Sequence, residues 1–443
     1  MGTQMDITYC AGWDPQARQP VGAMSEDRAR ERDSAGQPYA VLLGAGGRRR
    51  ALLQVSWEDH YLGVFLFDDQ ERRARSWDYR ELTTGLLHLR GYEEWRHTSA
   101  DEPEFPERGW HFTLTSTPGD EGVDVVLDDG GSLHTSRDLA EHHRTLRRAE
   151  FGDWSAYADG RMLGLDADGE LTFAPAACAE QPGPPTVPWS VPKGLRPQHL
   201  DALFTPGSRF ADADMGPATV TAPRTAGVLR LPTGSVIAAD PATLGTRDEP
   251  FTVPVPPGEY PVLIATAEWD GEGWGESTAA LLRVLDGPTT SWELAVRPGQ
   301  DPRLLGEGQF YGFGVDTGMG AFLDAAGRDA LTAACKDGCE EGETTAPGTD
   351  ANLIAFHSGR GDGAYPVWIG RTVDGEVSCL VADMLVLHGA RPLPPTPPDT
   401  TAFLSPPPPE DSPRPRPGSP GDSAEAVAAL IAGVADFSKR LRR

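Results

Sequence analysis

The sequence predicts a mainly β (α+β) chain: two β-rich domains, few short helices, and a C-terminal amphipathic helix on a proline-rich tether. Short apolar and aromatic runs bounded by Asp, Gly and Pro recur along most of the chain, the pattern of strands joined by turns. Two proline-dense stretches, 179–198 and 391–421, interrupt it, because proline fixes φ and lacks an N–H. Beyond the second, Val427, Leu430, Ile431, Val434, Phe437 and Leu441 recur at helical spacing.

Residues 1–38 mix charged and small residues, as in Ser25–Asp33, and are expected to form a flexible arm. From 39 to 178 a β-rich domain is expected, with strands over Val41–Leu43, Ala51–Trp57, Tyr61–Phe67, Ala74–Tyr79, Leu86–Tyr92, His111–Thr115 and Val123–Leu127. Asp166-Ala167-Asp168-Gly169, between apolar arms, marks a hairpin. Thr135 and Asp138 have capping-box spacing ahead of Leu139, His142, His143 and Leu146, which predicts one helix there.

After the linker at 179–198 a second β-rich domain is expected over 199–390. Its strands fall at Val228–Leu231, Ser235–Ala239, Tyr260–Ala267, Ala279–Leu285, Ser291–Val296, Phe310–Asp316, Leu353–Phe356, Pro366–Thr372 and Val377–Leu387, with one helix over Leu323–Cys335. The stretch 391–421 reads as an extended polyproline spacer. Residues 422–443 follow as the amphipathic helix, capped by Asp422 or Ser423 and closed by Lys439, Arg440, Arg442 and Arg443, whose charges complement the helix dipole.

The 66 Asp and Glu against 39 Lys and Arg leave a formal charge of −27, which argues against nucleic-acid partners, since phosphate binding needs clustered cations. Only Lys193, Lys336 and Lys439 are lysines; arginine preference with abundant Ala, Gly and Pro points to a high-GC bacterial genome. No apolar run is long enough to span a bilayer, and the five scattered cysteines suit a reducing compartment. A cytoplasmic location is therefore expected.

From Phe204-Thr205-Pro206-Gly207 onward a series of motifs follows: Gly234–Pro241, Pro257–Val262, Trp292-Glu293-Leu294-Ala295, Val315–Asp324, Ser358–Pro366 and a closing hairpin to Ala382-Asp383-Met384. In that order they resemble the bacterial family called domain of unknown function 4241, over residues about 199–390. The resemblance implies no activity, and Asp383-Met384 stands where some members have Asp-Phe.

The candidate chemistry gathers in the same region. Asp316, Asp324, Asp362 and Asp383 are the candidate catalytic residues, with Asp240 and His357 as outliers, and Asp316, Asp324 and Asp362 the candidate metal ligands, because carboxylates beside glycines can converge on a hard divalent cation. Paired carboxylates can also divide acid and base roles when burial separates their pKa values. Gly359, Arg360, Gly361, Asp362 and Gly363 form the candidate binding loop, a weak anion cradle. The competing explanation for all of these is turn chemistry, in which Asp-Gly and Gly-x-Gly supply Asx turns and positive φ. Cys335 and Cys339 are expected to be a surface thiol pair, and the dense aromatics of the first domain to be core.

A non-enzymatic binding or interaction module, an adaptor or immunity-like protein, is the expected function. It would meet a protein partner, or itself, through the terminal helix, and no cofactor is expected beyond a divalent cation. The alternative is a metal-dependent or carboxylate-based hydrolase using the Gly-Asp cluster.

Overall fold

Met5, Ile7 and Tyr9 alternate with Gln4, Asp6 and Thr8, a period of two that makes Thr3–Cys10 a strand with one face buried. In the computed structural model, which describes residues 3–106, 110–116, 122–128, 132–138, 144–165, 171–176, 187–271, 273–336 and 338–394, this strand lies inside the first sheet. It pairs antiparallel with Tyr39–Ala45 and parallel with Leu171–Pro175. The described part of the arm expected over residues 1–38, from residue 3 onward, is thus folded structure. Gly12–Asp14 and Gln19–Val21 form a small antiparallel ribbon, and Glu26–Ser34 is a helix whose cap, Ser25, accepts a hydrogen bond from the Arg28 amide. The helix is held by contacts a reading of its charges does not reveal. Ala29 is buried, and Asp33 accepts from the Tyr39 hydroxyl at 2.8 Å and the Trp57 indole at 2.6 Å.

The rest of this sheet is a meander. Tyr39–Ala45, Arg48–Ser56, Tyr61–Phe67, Arg73–Thr83, Leu86–Arg96, Trp110–Ser116, Gly122–Asp128 and Ser132–Asp138 pair antiparallel, each with the next. Gly46 and Gly47, both at positive φ, make the tight turn between the first two. One face of the sheet carries Leu43, Leu53, Leu62 and Val64 against Trp154 and Tyr157; the other packs Cys10, Leu42 and Leu52 against Trp13. The helix expected from Thr135 is not formed: Thr135 to Asp138 belong to the strand Ser132–Asp138, and Leu146 to the strand Thr145–Arg147. A local capping signal has been overridden by ladder hydrogen bonds to distant strands. The Asp166–Gly169 hairpin, His142 and His143 lie outside the described residues.

The strands from Arg209 onward form a larger and a smaller sheet. The larger runs through Ser291–Leu294, Gly363–Arg371, Val377–Asp383, Gly275–Arg283, Gly258–Trp269, Gly216–Val220, Arg209–Asp212 and Arg391–Leu393 in spatial order. The smaller holds Val236–Ala239, Met319–Asp324, Asn352–His357 and Gly342–Thr345. Val236, Ala238, Phe322, Ile354 and Phe356 face the larger sheet, while Ile237, Ala239, Leu323 and Leu353 pack against Leu331 and Cys335 of the helix Arg328–Cys335. Burial on both faces explains the unbroken apolar runs of these strands. It also shortens the helix expected over Leu323–Cys335: Leu323 is sheet, and the helix begins at Arg328.

The linker packs onto the protein from Val187 onward. Val191 is buried, the Trp189 indole donates to the Ala11 carbonyl at 2.8 Å, and the Leu195 amide donates to Gln309 O. Arg391–Leu393, expected to open the proline spacer, is a strand paired with Arg209–Asp212. All described residues fall within one compact unit, Met1–Pro395, and the terminal helix lies outside them. No helix among the described residues is long and apolar enough to cross a membrane.

Candidate functional site

The sequence-predicted aspartates occupy three separate places. Asp240, buried just beyond Val236–Ala239, accepts hydrogen bonds from the amides of Asp316 (2.8 Å) and Thr317 (2.9 Å), from the Thr317 hydroxyl (2.9 Å) and from the Ala242 amide (2.8 Å). Asp362 grips the same turn, accepting from the Gly318 amide at 3.1 Å. Asp316 itself is exposed. Asp240, Asp316 and Asp362 therefore meet at one turn, two of them as acceptors for its backbone.

Asp324 sits at the opposite end of Met319–Asp324, roughly 16 Å away at the usual strand rise. It is buried and accepts from the amides of Thr233 (3.0 Å), Gly234 (3.1 Å) and Ala326 (2.9 Å) and from the Thr233 hydroxyl (2.7 Å). Gly234 is required there: its φ is +74°, and a Cβ would lie 1.9 Å from the Val255 carbonyl oxygen.

Asp383 ends Val377–Asp383 in the larger sheet, 4% exposed. One oxygen accepts from the Leu385 amide at 2.9 Å and the other from the Trp368 indole at 3.3 Å. Burial pushes its pKa up to about 6 despite these two bonds. His357 is exposed at the end of Asn352–His357. Among the described residues no three His, Cys, Asp or Glu side chains group so as to hold a metal ion.

The loop Gly359–Gly363 is built as a closed turn. The hydroxyls of Ser358 and Tyr365 both donate to the Gly361 carbonyl at 2.7 Å. Gly359 lies at φ +69°, where a Cβ would stand 2.7 Å from Ser277 O, and Arg360 reaches Glu276 at 3.7 Å. Cys335 and Cys339 correct the expected surface thiol pair: they form a disulfide, with Cys335 buried against the smaller sheet.

Several concavities lie where the linker crosses between the first sheet and the larger second sheet. A cavity of about 390 Å³ is walled by Arg80, Lys193, Arg196, Arg303 and Trp292. A groove of about 360 Å³ shares Pro192 with it, and a third hollow of about 320 Å³ shares Val191, Lys193 and Arg196. Charged groups hold this junction together. Asp78 receives Arg80 at 2.8 Å and Arg90 at 2.8 Å, with all three side chains largely buried. Arg80 also donates to Pro192 O (3.0 Å), Arg90 to Gln309 (3.3 Å) and Arg303 to Glu81 O (3.2 Å). Against the effect of its partial burial, hydrogen bonds from Lys193 and Ser56 hold the Asp59 carboxyl below its ordinary range. Arg196 and His60 stand exposed on the rim; Arg196 makes no ion pair among the described residues, and His60 lies near enough to Asp301 to help lower its carboxyl.

Sequence reasoning missed this junction, since it draws on strand ends, a loop and the linker, which are far apart in the chain. The one available signal was Lys193, one of three lysines, placed inside a proline-dense stretch.

A family model described as "Protein of unknown function (DUF4241)" matches residues 229–345 and 333–382. The chain thus resembles that family over a span narrower than the motifs suggested, one that includes Trp292 and Trp368 but not the first sheet or the linker. No curated protein and no solved structure matches the chain significantly.

Proposed function

We propose that the chain is a bacterial binding module, adaptor- or immunity-like, that holds a partner at the junction beneath its linker; the Cys335–Cys339 disulfide does not support the cytoplasmic location expected from its cysteines. The observation that carries this reading is the convergence of three hollows on the linker residues Val191–Arg196, with exposed cations on the rim. Ligand sites favour such junctions, and about 390 Å³ is enough for a small ligand or a few side chains of a partner. Arg196, exposed on the rim and in no ion pair among the described residues, can meet an acidic group even though the protein as a whole is acidic. The amphipathic segment 422–443 is a second attachment point in this reading, for a protein partner or another copy.

The hydrolase reading has less support, because the buried oxygens of Asp240 and Asp324 are engaged by turn amides and Asp383 lies in a different sheet. The test is recovery of partners on the tagged full chain from its native lysate, followed by native mass spectrometry. A stoichiometric partner lost on the double substitution Lys193→Glu, Arg196→Glu supports the proposal. Recovery of no stoichiometric partner, or of one indifferent to those substitutions, refutes it.

A further inference from the structure

The groove beside the junction is walled by aromatic rings. Tyr61 and Phe65 come from one strand, Trp95 from Leu86–Arg96, and Phe105 from the loop that follows; Pro192 of the linker closes one end. Phe105 is 45% exposed and lies against Trp95 with ring centroids 4.8 Å apart, although a ring this exposed gains little by staying in water. Trp95 also stacks on His111 at 4.9 Å and 9°.

The polar groups of the groove restrict what fits. Both oxygens of Asp78 are engaged by Arg80 and Arg90, and Arg90 is further tied to Gln309. Ser76 and Glu93 also line the groove, and Glu93 lies 3.7 Å from the His111 ring with its side chain partly exposed. A ligand with apolar faces and a cationic group matches the rings and the Glu93 carboxylate.

We propose that this groove binds a proline-rich, arginine-bearing segment of a partner protein in the polyproline II conformation. Such a segment is already extended, so ordering it costs little, and its pyrrolidine rings pack between aromatic walls. The chain provides both halves of the recognition in its own side chains. Pro192 already lines the groove alongside Tyr61. Arg73 already stacks over Phe65 at 5.4 Å and Phe105 at 5.0 Å while pairing with Glu104, so these rings accept a guanidinium that has a carboxylate beside it. Glu93 is the carboxylate left for the partner's arginine, and the net charge of −27 favours a cationic segment at long range. The inference rests on the binding-module reading but not on the junction cavity. Peptide titration and lysate recovery therefore fail independently.

The probe is a labelled synthetic decapeptide, Asp-Ser-Pro-Arg-Pro-Arg-Pro-Gly-Ser-Pro, the sequence found at 411–420, titrated into the full chain by fluorescence polarisation. Saturable binding is expected, weakened at least about tenfold by Phe105→Ala and by Trp95→Ala, as for aromatic anchors elsewhere. Glu93→Gln should weaken it about fivefold, and replacing both peptide arginines by glutamine should weaken it to the same degree. Phe105 lies on an exposed loop, so its variant keeps the test decisive if Trp95→Ala does not fold. Absence of saturable binding up to about 1 mM peptide, near the limit of specific recognition, overturns the proposal. So does binding unchanged in Phe105→Ala, or a groove that takes a neutral oligosaccharide and not the peptide.

Discussion

Replacing Asp383 by asparagine should make the protein more stable at neutral pH and no more stable in acid. The carboxyl is 4% exposed, and burial raises its pKa from an ordinary 3.8 to about 6. Below the unfolded value both states hold the proton and the group costs nothing. As pH rises through 4 to 6 the unfolded chain gives up its proton first, so folding stability falls. Above about pH 6 the whole difference has been lost, about two units at 1.36 kcal/mol each, or about 3 kcal/mol. Asparagine removes the charge and keeps a carbonyl for the Leu385 amide, but its NH2 group meets the Trp368 indole donor, at a cost of about 1 kcal/mol. The net expectation for Asp383→Asn is a gain of about 2 kcal/mol at pH 7.5 and a loss of up to about 1 kcal/mol at pH 4. Urea unfolding of both proteins at the two pH values measures it directly. A stability difference that is the same at both pH values refutes the reasoning, because it would mean that Asp383 ionises in the folded protein as it does in the unfolded chain.

Two further outcomes follow from the turns. Asp240→Ala strips the acceptor from the amides of Asp316, Thr317 and Ala242, and should lower stability by about 3 kcal/mol in the same urea assay, with Asp240→Asn losing less. Gly234→Ala places a Cβ 1.9 Å from Val255 O at a positive φ, so the chain should express poorly or melt many degrees lower, whereas Gly46→Ala, with open space around the Cβ, should suffer only the backbone penalty of about 1 kcal/mol.

The two turns also show how the candidate site changed between sequence and structure. Asp240 entered as an outlier to the Gly-Asp cluster, and it is the residue that organises it. Acidic residues beside glycines look alike in sequence whether their oxygens face a cation or a backbone amide, and only the positions of distant amides separate the two. The loop at 359–363 has a similar history: Gly359 allows a close approach to Ser277, which lies in another strand.

Much of the β architecture was legible because apolar runs bounded by turn residues depend on local composition. The strand Tyr61–Phe67 lies where the pattern puts it, and Leu86–Arg96 only extends its expected limits. The alternation of Met5, Ile7 and Tyr9 was equally legible, and the charged run after it obscured that strand. The sequence by itself determined the β-rich class and the resemblance to a family, since both are written in short-range patterns. Only the tertiary structure decided which carboxylates were engaged, that residues 3–34 fold, that Thr135 belongs to a strand, and that the linker walls a cavity of about 390 Å³. Each of these depends on partners tens to hundreds of residues away, and hydrogen-bond satisfaction and burial are properties of the assembled fold.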